Sequence, residues 1–221
     1  MTQTEILERT REYAEKTLRG ETNAHDWWHV LRVWNLAMHL AEEEKGADKF
    51  VVGLGALLHD IADWKFHNGD TTVGPRKTRE WLESLEVDGD VVERVVYIVE
   101  HVSYRGGTNK HVMQTLEGKI VQDADRLDAI GAIGIARTFT FGGAFGREMY
   151  DPTLKPRTDF TSFEEYQKQV KDNTTINHFY EKLLLLKDKL NTEAARRVAQ
   201  KRHDYMEQFL EEFYAEWDGK R

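Results

Sequence analysis

The sequence predicts an all-α, single-domain helical bundle, and three observations support that prediction. Apolar residues make up 40% of the 221 residues, which suffices for one packed core. The chain contains only 3 prolines, and long segments lack the clusters of Gly and Pro that mark turns. Apolar residues recur at the helical spacing i, i+3, i+4 and i+7 along most of the chain. We therefore expect one domain that spans residues 1–221.

The first half of the chain is predicted to contain five helices. Residues 50–61 are apolar on almost every side, which is typical of a central, fully buried helix. Pro75 suits the first turn of the fourth helix. Residues 89–103 are rich in valine, which favours strands, but the valines keep the helical spacing. The helices predicted here cover residues 4–19, 25–45, 50–61, 75–86 and 89–103.

The second half is predicted to be helical over residues 113–137, in two pieces, and over residues 162–187 and 192–217. Residues 142–160 form the longest irregular segment, interpreted either as a flap over a substrate or as a purely structural loop. The glycines between Gly131 and Gly146 are not a phosphate-binding loop, because GK[ST] and a preceding strand are missing. The first of them are attributed to close packing of helices.

Composition excludes several classes of protein. The chain has no Cys, which removes disulfides and thiol catalysis and is consistent with a cytoplasmic location. No segment approaches the roughly 18 uncharged apolar residues of a membrane span. The formal net charge of -8 argues against duplex nucleic acid as a partner, whereas a small phosphorylated ligand remains compatible. The amphipathic terminal helices are also compatible with a homodimer.

The dipeptide His-Asp occurs three times, and two of the copies have simple explanations. His203-Asp204 lies among charged residues and is interpreted as part of a solvated helix face. His25-Asp26 begins a helix, where an aspartate is favoured by the positive end of the helix dipole. That explains Asp26 and leaves the role of His25 open.

The third copy, His59-Asp60, ends the most apolar segment of the chain. Polar side chains are costly to bury there unless something compensates them. A divalent cation provides that compensation, because it binds neutral imidazole and carboxylate together. Neighbouring residues on a helix diverge by about 100°, so this pair would hold only one side of an ion. Other helices must complete the coordination.

Two further segments offer candidate ligands. His29 lies on the same helical stripe as Val33 and Leu40, so its side chain is expected to point inward. The segment VQDADRLDAIGAIGIAR contains three acidic residues that are placed almost equally well. Periodicity alone does not select among these three, which are Asp123, Asp125 and Asp128.

Four blocks of the sequence resemble the HD-domain metal-dependent phosphohydrolases, and in particular their small bacterial members. In order along the chain, from residue 25 to about residue 137, the blocks are DWWHVLRV, LLHDIADWK, EHVSYRGG and DADRLDAIGAIGIAR. The resemblance implies an all-helical domain whose metal-site core lies at about 25–137, with a flap and C-terminal helices at 138–221. It also implies one divalent ion, usually Mn²⁺ or Mg²⁺, and selects Asp125 among the acids. The implied ligands are His29, His59, Asp60 and Asp125.

The resemblance also implies an activity on nucleotides. The subgroup that looks most similar cleaves a nucleoside triphosphate into a monophosphate and pyrophosphate. A 5′-nucleotidase or a phosphodiesterase would use the same ligands, and a non-catalytic metal or nucleotide sensor is the alternative outside the enzymes. Trp64 stands where the guanosine-tetraphosphate hydrolases have a second acid, which disfavours that substrate.

Four residues are candidates for the remaining chemistry. Asp63, three residues after the HD aspartate, is the candidate acid-base group, and a helix cap is the competing interpretation. Lys65 in the same block is assigned to the catalytic site as a contact to phosphate. Arg105, beside two glycines, and His101, one turn earlier, are further candidates for phosphate binding. For His101, a histidine bonded to its own helix is the competing interpretation.

Two more residues flank Asp125 and are given weaker roles. Arg126 and Asp128 are placed to orient the Asp125 carboxylate, although a structural ion pair fits them as well.

Overall fold

The computed structural model describes residues 1–20, 26–62, 70–102, 112–157 and 173–221, and within these ranges it contains helices and no strand. This confirms the all-α prediction. The α-helices are α1 (Gln3–Leu18), α2 (Trp27–Glu43), α3 (Lys49–Leu58), α4 (Val73–Ser84), α5 (Gly89–His101), α6 (Leu116–Asp128), α7 (Gly131–Ala144) and α8 (Glu193–Trp217). A π-helical turn at Phe179–Leu183 and a 3-10 turn at Lys187–Lys189 precede α8. None of the described helices is long and apolar enough to cross a membrane.

Backbone packing divides the chain into two compact units, and the division falls within α6, after Asp125. The first unit contains α1 to α5 and most of α6. Helix α3 packs against α1, α2 and α5 in this unit. Every residue from Phe50 to Ile61 is buried, so the predicted central helix is confirmed, although α3 itself ends at Leu58.

Two local features set the position of α3. The carboxylate of Asp48 caps the helix, accepting hydrogen bonds from the backbone N–H groups of Phe50 and Val51. Gly55 lies where neighbouring helices approach closely, because a Cβ there would be 3.2 Å from Ile98 of α5 and 3.4 Å from Val121 of α6. The absence of a side chain at Gly55 therefore lets α5 and α6 come near the end of α3.

The second unit contains the end of α6, helix α7 and helix α8. The prediction of two helical pieces over 113–137 is confirmed, since α6 ends at Asp128 and α7 begins at Gly131 with a φ of +76°. A Cβ at Gly142 would lie 2.3 Å from the Thr175 hydroxyl. Gly131 thus serves the turn between α6 and α7, and Gly142 allows close packing against Thr175.

The helix predicted over 162–187 is only partly formed in its described part. Residues 173–176 form no helix, whereas the backbone is helical from residue 177, becomes π-helical at Phe179–Leu183 and ends in a 3-10 turn. The side chain of Asn173 accepts a hydrogen bond from the Thr174 N–H, and the Thr174 hydroxyl accepts one from the Asn177 N–H. Such bonds from side chain to backbone compete with helical hydrogen bonds, which explains the irregular path.

The prediction that His203-Asp204 faces water is half wrong. Asp204 is exposed, but His203 is buried on the α8 stripe that also contains Ala199, Met206 and Leu210. The flanking charges suggested a solvated face. His203 is nevertheless buried, because it lies one helical turn after the buried Ala199 on the same face of α8.

Candidate metal centre

The first turn of α2 positions His29. The Asp26 carboxylate caps this helix and accepts a 2.9 Å hydrogen bond from the backbone N–H of His29. The imidazole is buried, as its helical stripe predicted. Its Nε2 atom is the point at which the other candidate ligands converge.

His59 and Asp60 directly follow α3, with the backbone of His59 still helical. The Nδ1 atom of His59 lies 2.7 Å from the carbonyl oxygen of Ala56, to which it donates in the tautomer that leaves a lone pair on Nε2. That Nε2 atom lies 3.3 Å from Nε2 of His29. Oδ2 of Asp60 lies 3.3 Å from Nε2 of His29 and 3.4 Å from Nε2 of His59.

Asp125 reaches the same place from α6, with Oδ1 3.4 Å from Nε2 of His29. Its side chain is 24% exposed, whereas those of His29 and Asp60 are 1% and 8% exposed. The cluster is therefore buried on the α2 and α3 sides and accessible to solvent at Asp125. The structure brings together all four residues that the sequence singled out, and all four lie in the first compact unit.

These distances suit a shared cation. Ligand atoms about 2.1 Å from one ion, at angles between 90° and 110°, lie roughly 3.0–3.4 Å from each other. The four separations between candidate ligand atoms given above are 3.3–3.4 Å. Two imidazole nitrogens with two carboxylates also form a donor set that divalent transition metals and Mg²⁺ accept. His29, His59 and Asp125 therefore fit a single divalent ion, and Asp60 lies within 3.4 Å of both imidazoles.

The electrostatics of the cluster also favour a bound cation. Burial disfavours a charged His59, but the Asp60 carboxylate, with help from Asp125, outweighs burial and raises the His59 pKa. Burial likewise disfavours a charged Asp125, yet the hydrogen bond and charge of His29, together with His59, lower its pKa to about 2. The Asp125 carboxylate thus stays ionised and attracts positive charge to this point. A cation that binds there displaces protons from the imidazoles.

His101 is the last residue of α5. Its Nδ1 lies 2.9 Å from the carbonyl oxygen of Tyr97, and the two rings lie 4.6 Å apart. Gln122, one turn before Asp125 on α6, donates to the His101 carbonyl oxygen at 3.4 Å. His101 is thus bonded to its own helix, and its backbone is tied to the helix that carries Asp125.

Asp128 and Arg126 have partners outside the cluster. Asp128 forms an ion pair with Arg137 of α7, and Arg126 donates to the carbonyl oxygen of Lys189. Asp123 is fully buried. Arg126 and Asp128 therefore serve packing within the second unit, although the ion pair joins Asp128 to Arg137 and not to Arg126.

The candidates Asp63, Lys65 and Arg105, and also His25, lie outside the described residues, so their predicted roles remain predictions. Sequence reasoning did not identify the carbonyl oxygen of Ala56 as the group that orients His59. It also missed the contact of Gln122 with the end of α5. Ala56 and Gln122 stand three residues before His59 and Asp125, and residues at this spacing are neighbours on one helix face. This spacing was the sequence feature that could have identified them.

Comparisons with known proteins agree with this geometry. The HD domain family matches residues 27–130. YpgQ of Bacillus subtilis is 37% identical over 214 residues, which cover 96% of this chain and 94% of YpgQ. The crystal structure of an HD-superfamily hydrolase from Bacillus thuringiensis matches with 42% identity and a TM-score of 0.77, covering 98% of this chain and 99% of that one.

YpgQ, the relative named above, was also crystallised with a nucleotide. The structure of Bacillus subtilis YpgQ in complex with ADP matches with 33% identity and a TM-score of 0.74, and covers 95% of this chain and 97% of that one.

Proposed function

Because this chain belongs to the HD domain family and is a metal-dependent hydrolase, we propose that it is a phosphohydrolase that acts on nucleotides. One observation carries the proposal. Nε2 of His29 has an imidazole nitrogen of His59 and a carboxylate oxygen each of Asp60 and Asp125 within 3.4 Å. We assign His29, His59, Asp60 and Asp125 as the ligands of one divalent ion. Mn²⁺ and Mg²⁺ are the ions that this proposal favours.

The bound ion would supply a Lewis acid for a phosphoryl oxygen and would lower the pKa of a water molecule. The residues around it have separate tasks. Ala56 holds the His59 ring so that Nε2 faces the cluster, and Asp26 fixes the backbone of His29. The accessible side at Asp125 is where a substrate would enter.

The specific reaction that we propose is cleavage of a nucleoside triphosphate between its α- and β-phosphates. Water attacks the α-phosphorus, the bond to the bridging oxygen breaks, and a monophosphate and pyrophosphate leave. The ADP complex of YpgQ, a protein similar to this one over nearly its whole length, supports a nucleotide as the ligand. A small substrate also agrees with the acidic net charge of -8, which disfavours duplex nucleic acid.

The remaining groups of the site are assigned from the sequence. Asp63 would take the proton of the attacking water, because it follows Asp60 by one helical turn. Lys65 would act beside it, and Arg105 and His101 would hold the phosphates. Of these four residues, His101 lies in the part of the chain that the structure describes. It is the last residue of α5, and its backbone carbonyl accepts a hydrogen bond from Gln122 of α6.

Domain organisation, location and assembly are also part of the proposal. We propose that residues 1–221 act as one HD domain in the cytoplasm, without a membrane partner, and that the protein is capable of forming a homodimer.

A panel of nucleotides tests the proposed reaction. Purified protein with Mn²⁺ should release pyrophosphate from nucleoside triphosphates. Release of inorganic phosphate from monophosphates would instead indicate a 5′-nucleotidase, and opening of cyclic nucleotides would indicate a phosphodiesterase. Tight nucleotide binding without turnover of any substrate would contradict the enzyme and favour a sensor.

A further inference from the structure

Trp28 occupies an unusual position beside the metal cluster. It lies in the first turn of α2, between Trp27 and His29, which are 3% and 1% exposed. Trp28 itself is 57% exposed. A large aromatic side chain at the surface thus directly adjoins a proposed metal ligand in the sequence.

The contacts of Trp28 distinguish it from other tryptophans of the chain. Trp81 is stacked on Tyr13 at 4.0 Å and donates its Nε1–H to Thr10. Trp217, which is 49% exposed, still contacts Tyr150. Within the part of the chain that the structure describes, Trp28 has neither a ring contact nor a hydrogen bond. Core packing therefore does not explain it.

Helical geometry places Trp28 on the solvent side of α2 close to the cluster. Its side chain diverges by about 100° from that of His29. It shares the exposed face with Asn35 and His39, both of which are polar. Neighbouring Cα atoms are about 3.8 Å apart, so the indole and the imidazole project from adjacent points of the α2 backbone. The cluster is itself accessible to solvent through Asp125.

We propose that Trp28 is the nucleobase platform of this enzyme, on which the base of the substrate stacks while its phosphates lie at the metal centre. The inference rests on the proposed function and names the part of the substrate that the indole recognises. Every base has a π face, so such a platform binds purine and pyrimidine nucleotides alike. Trp28 is accordingly a binding residue and not a catalytic one.

Substrates with and without a base test this inference. In Trp28→Ala, KM for ATP with Mn²⁺ should rise about 5- to 100-fold with kcat nearly unchanged, given the usual contribution of base stacking. KM for ribose 5-triphosphate, which has no base, should stay the same. Trp28→Phe should restore most of the affinity for ATP. Trp217→Phe, at another exposed tryptophan, should leave both substrates unaffected.

Equilibrium binding gives a second readout that does not need turnover. Trp28→Ala should weaken binding of ADP by a similar factor and leave binding of ribose 5-diphosphate unchanged. Equal affinities of wild type and Trp28→Ala for ADP would overturn the inference, as would an equal loss for the compounds with and without a base. An altered oligomeric state with unchanged ADP affinity would likewise overturn it and assign Trp28 to a subunit contact. A wild type that binds ADP but releases no pyrophosphate from any triphosphate would refute the proposed function and leave this inference standing.

Discussion

Two polar clusters, one in each compact unit, shift the pKa of a carboxyl group in opposite directions. Asp125 in the first unit has its pKa lowered to about 2, because burial is outweighed by the hydrogen bond and charge of His29 and by His59. Glu181 in the second unit has its pKa raised, because burial dominates over its hydrogen bonds and two arginine charges. Burial alone therefore does not identify a functional carboxylate.

The partners of the two clusters explain the difference. Glu181 accepts hydrogen bonds from the Asn173 amide and from the Arg157 backbone, and Asn177 donates to Asn173 and to the carbonyl oxygen of Leu154. These donors and acceptors match one another, which is the signature of a structural network. The first cluster instead turns imidazole nitrogens and carboxylate oxygens toward one point. Converging acceptors of this kind indicate a cation.

The largest expected effect separates the two His-Asp pairs that the structure describes. His59→Ala and Asp60→Ala should each abolish bound metal and lower turnover by more than about 100-fold, because a side chain that binds the ion directly is lost. Asp204→Ala makes the same substitution at an exposed pair and should change neither quantity. Metal content by elemental analysis and initial rates provide the measurements. Full activity in either site variant would refute the ligand assignment.

The second effect separates metal binding from catalysis. Asp63→Asn should bind Mn²⁺ as wild type does and turn over about 10²- to 10⁴-fold more slowly, because a general base is lost. Mn²⁺ titrations and steady-state rates would measure the two properties. An Asp63→Asn enzyme with a normal rate would remove this residue from the mechanism.

The third effect concerns stability. A ligand that binds only the folded state, at a free concentration 100 times its Kd, raises the free energy of unfolding by about 2.7 kcal/mol. For a chain of this size that corresponds to an increase of roughly 5–10 °C in Tm. Mn²⁺ should therefore raise the Tm of wild type and not that of Asp125→Asn. Asn177→Ala should lower Tm by a similar amount with and without Mn²⁺, because it breaks the structural network. Stabilisation of Asp125→Asn by Mn²⁺ equal to that of wild type would contradict this division.

The smallest expected effect tests the direction of the pKa shift of Glu181. A carboxyl group whose pKa is raised in the folded state contributes stability at acid pH, and this contribution is lost as the pH rises through that pKa. Glu181→Gln keeps an oxygen that accepts both hydrogen bonds and removes the charge. Its Tm should exceed that of wild type by a few degrees at pH 8 and equal it near pH 4, measured by thermal melts. A variant that is less stable at pH 8 would show that the arginine charges dominate.

Some of the site could be predicted because helical periodicity and burial act locally. His29 follows from its stripe on α2, and His59-Asp60 follows from the apolar segment that it ends. The choice of Asp125 could not be made this way. Asp123 and Asp128 are more deeply buried than Asp125, and which face of α6 meets α2 and α3 depends on packing between distant parts of the chain.

The errors have a similar cause. The charged neighbours of His203 predict a solvent-facing side chain, whereas it lies on the buried face of α8 with Ala199 and Leu210, because packing of α8 on α7 decides which face is buried. Residues 173–176 fall within the helix predicted over 162–187 but are not helical. Local hydrogen bonds of Asn173 and Thr174 prevail there, and such bonds are weak signals in a sequence.

The ion itself can be located directly. Crystals grown with Mn²⁺ and measured near the manganese absorption edge should show one anomalous peak about 2.1 Å from Nε2 of His29, Nε2 of His59 and an oxygen each of Asp60 and Asp125. A strong peak elsewhere, with none among these four side chains, would contradict the account.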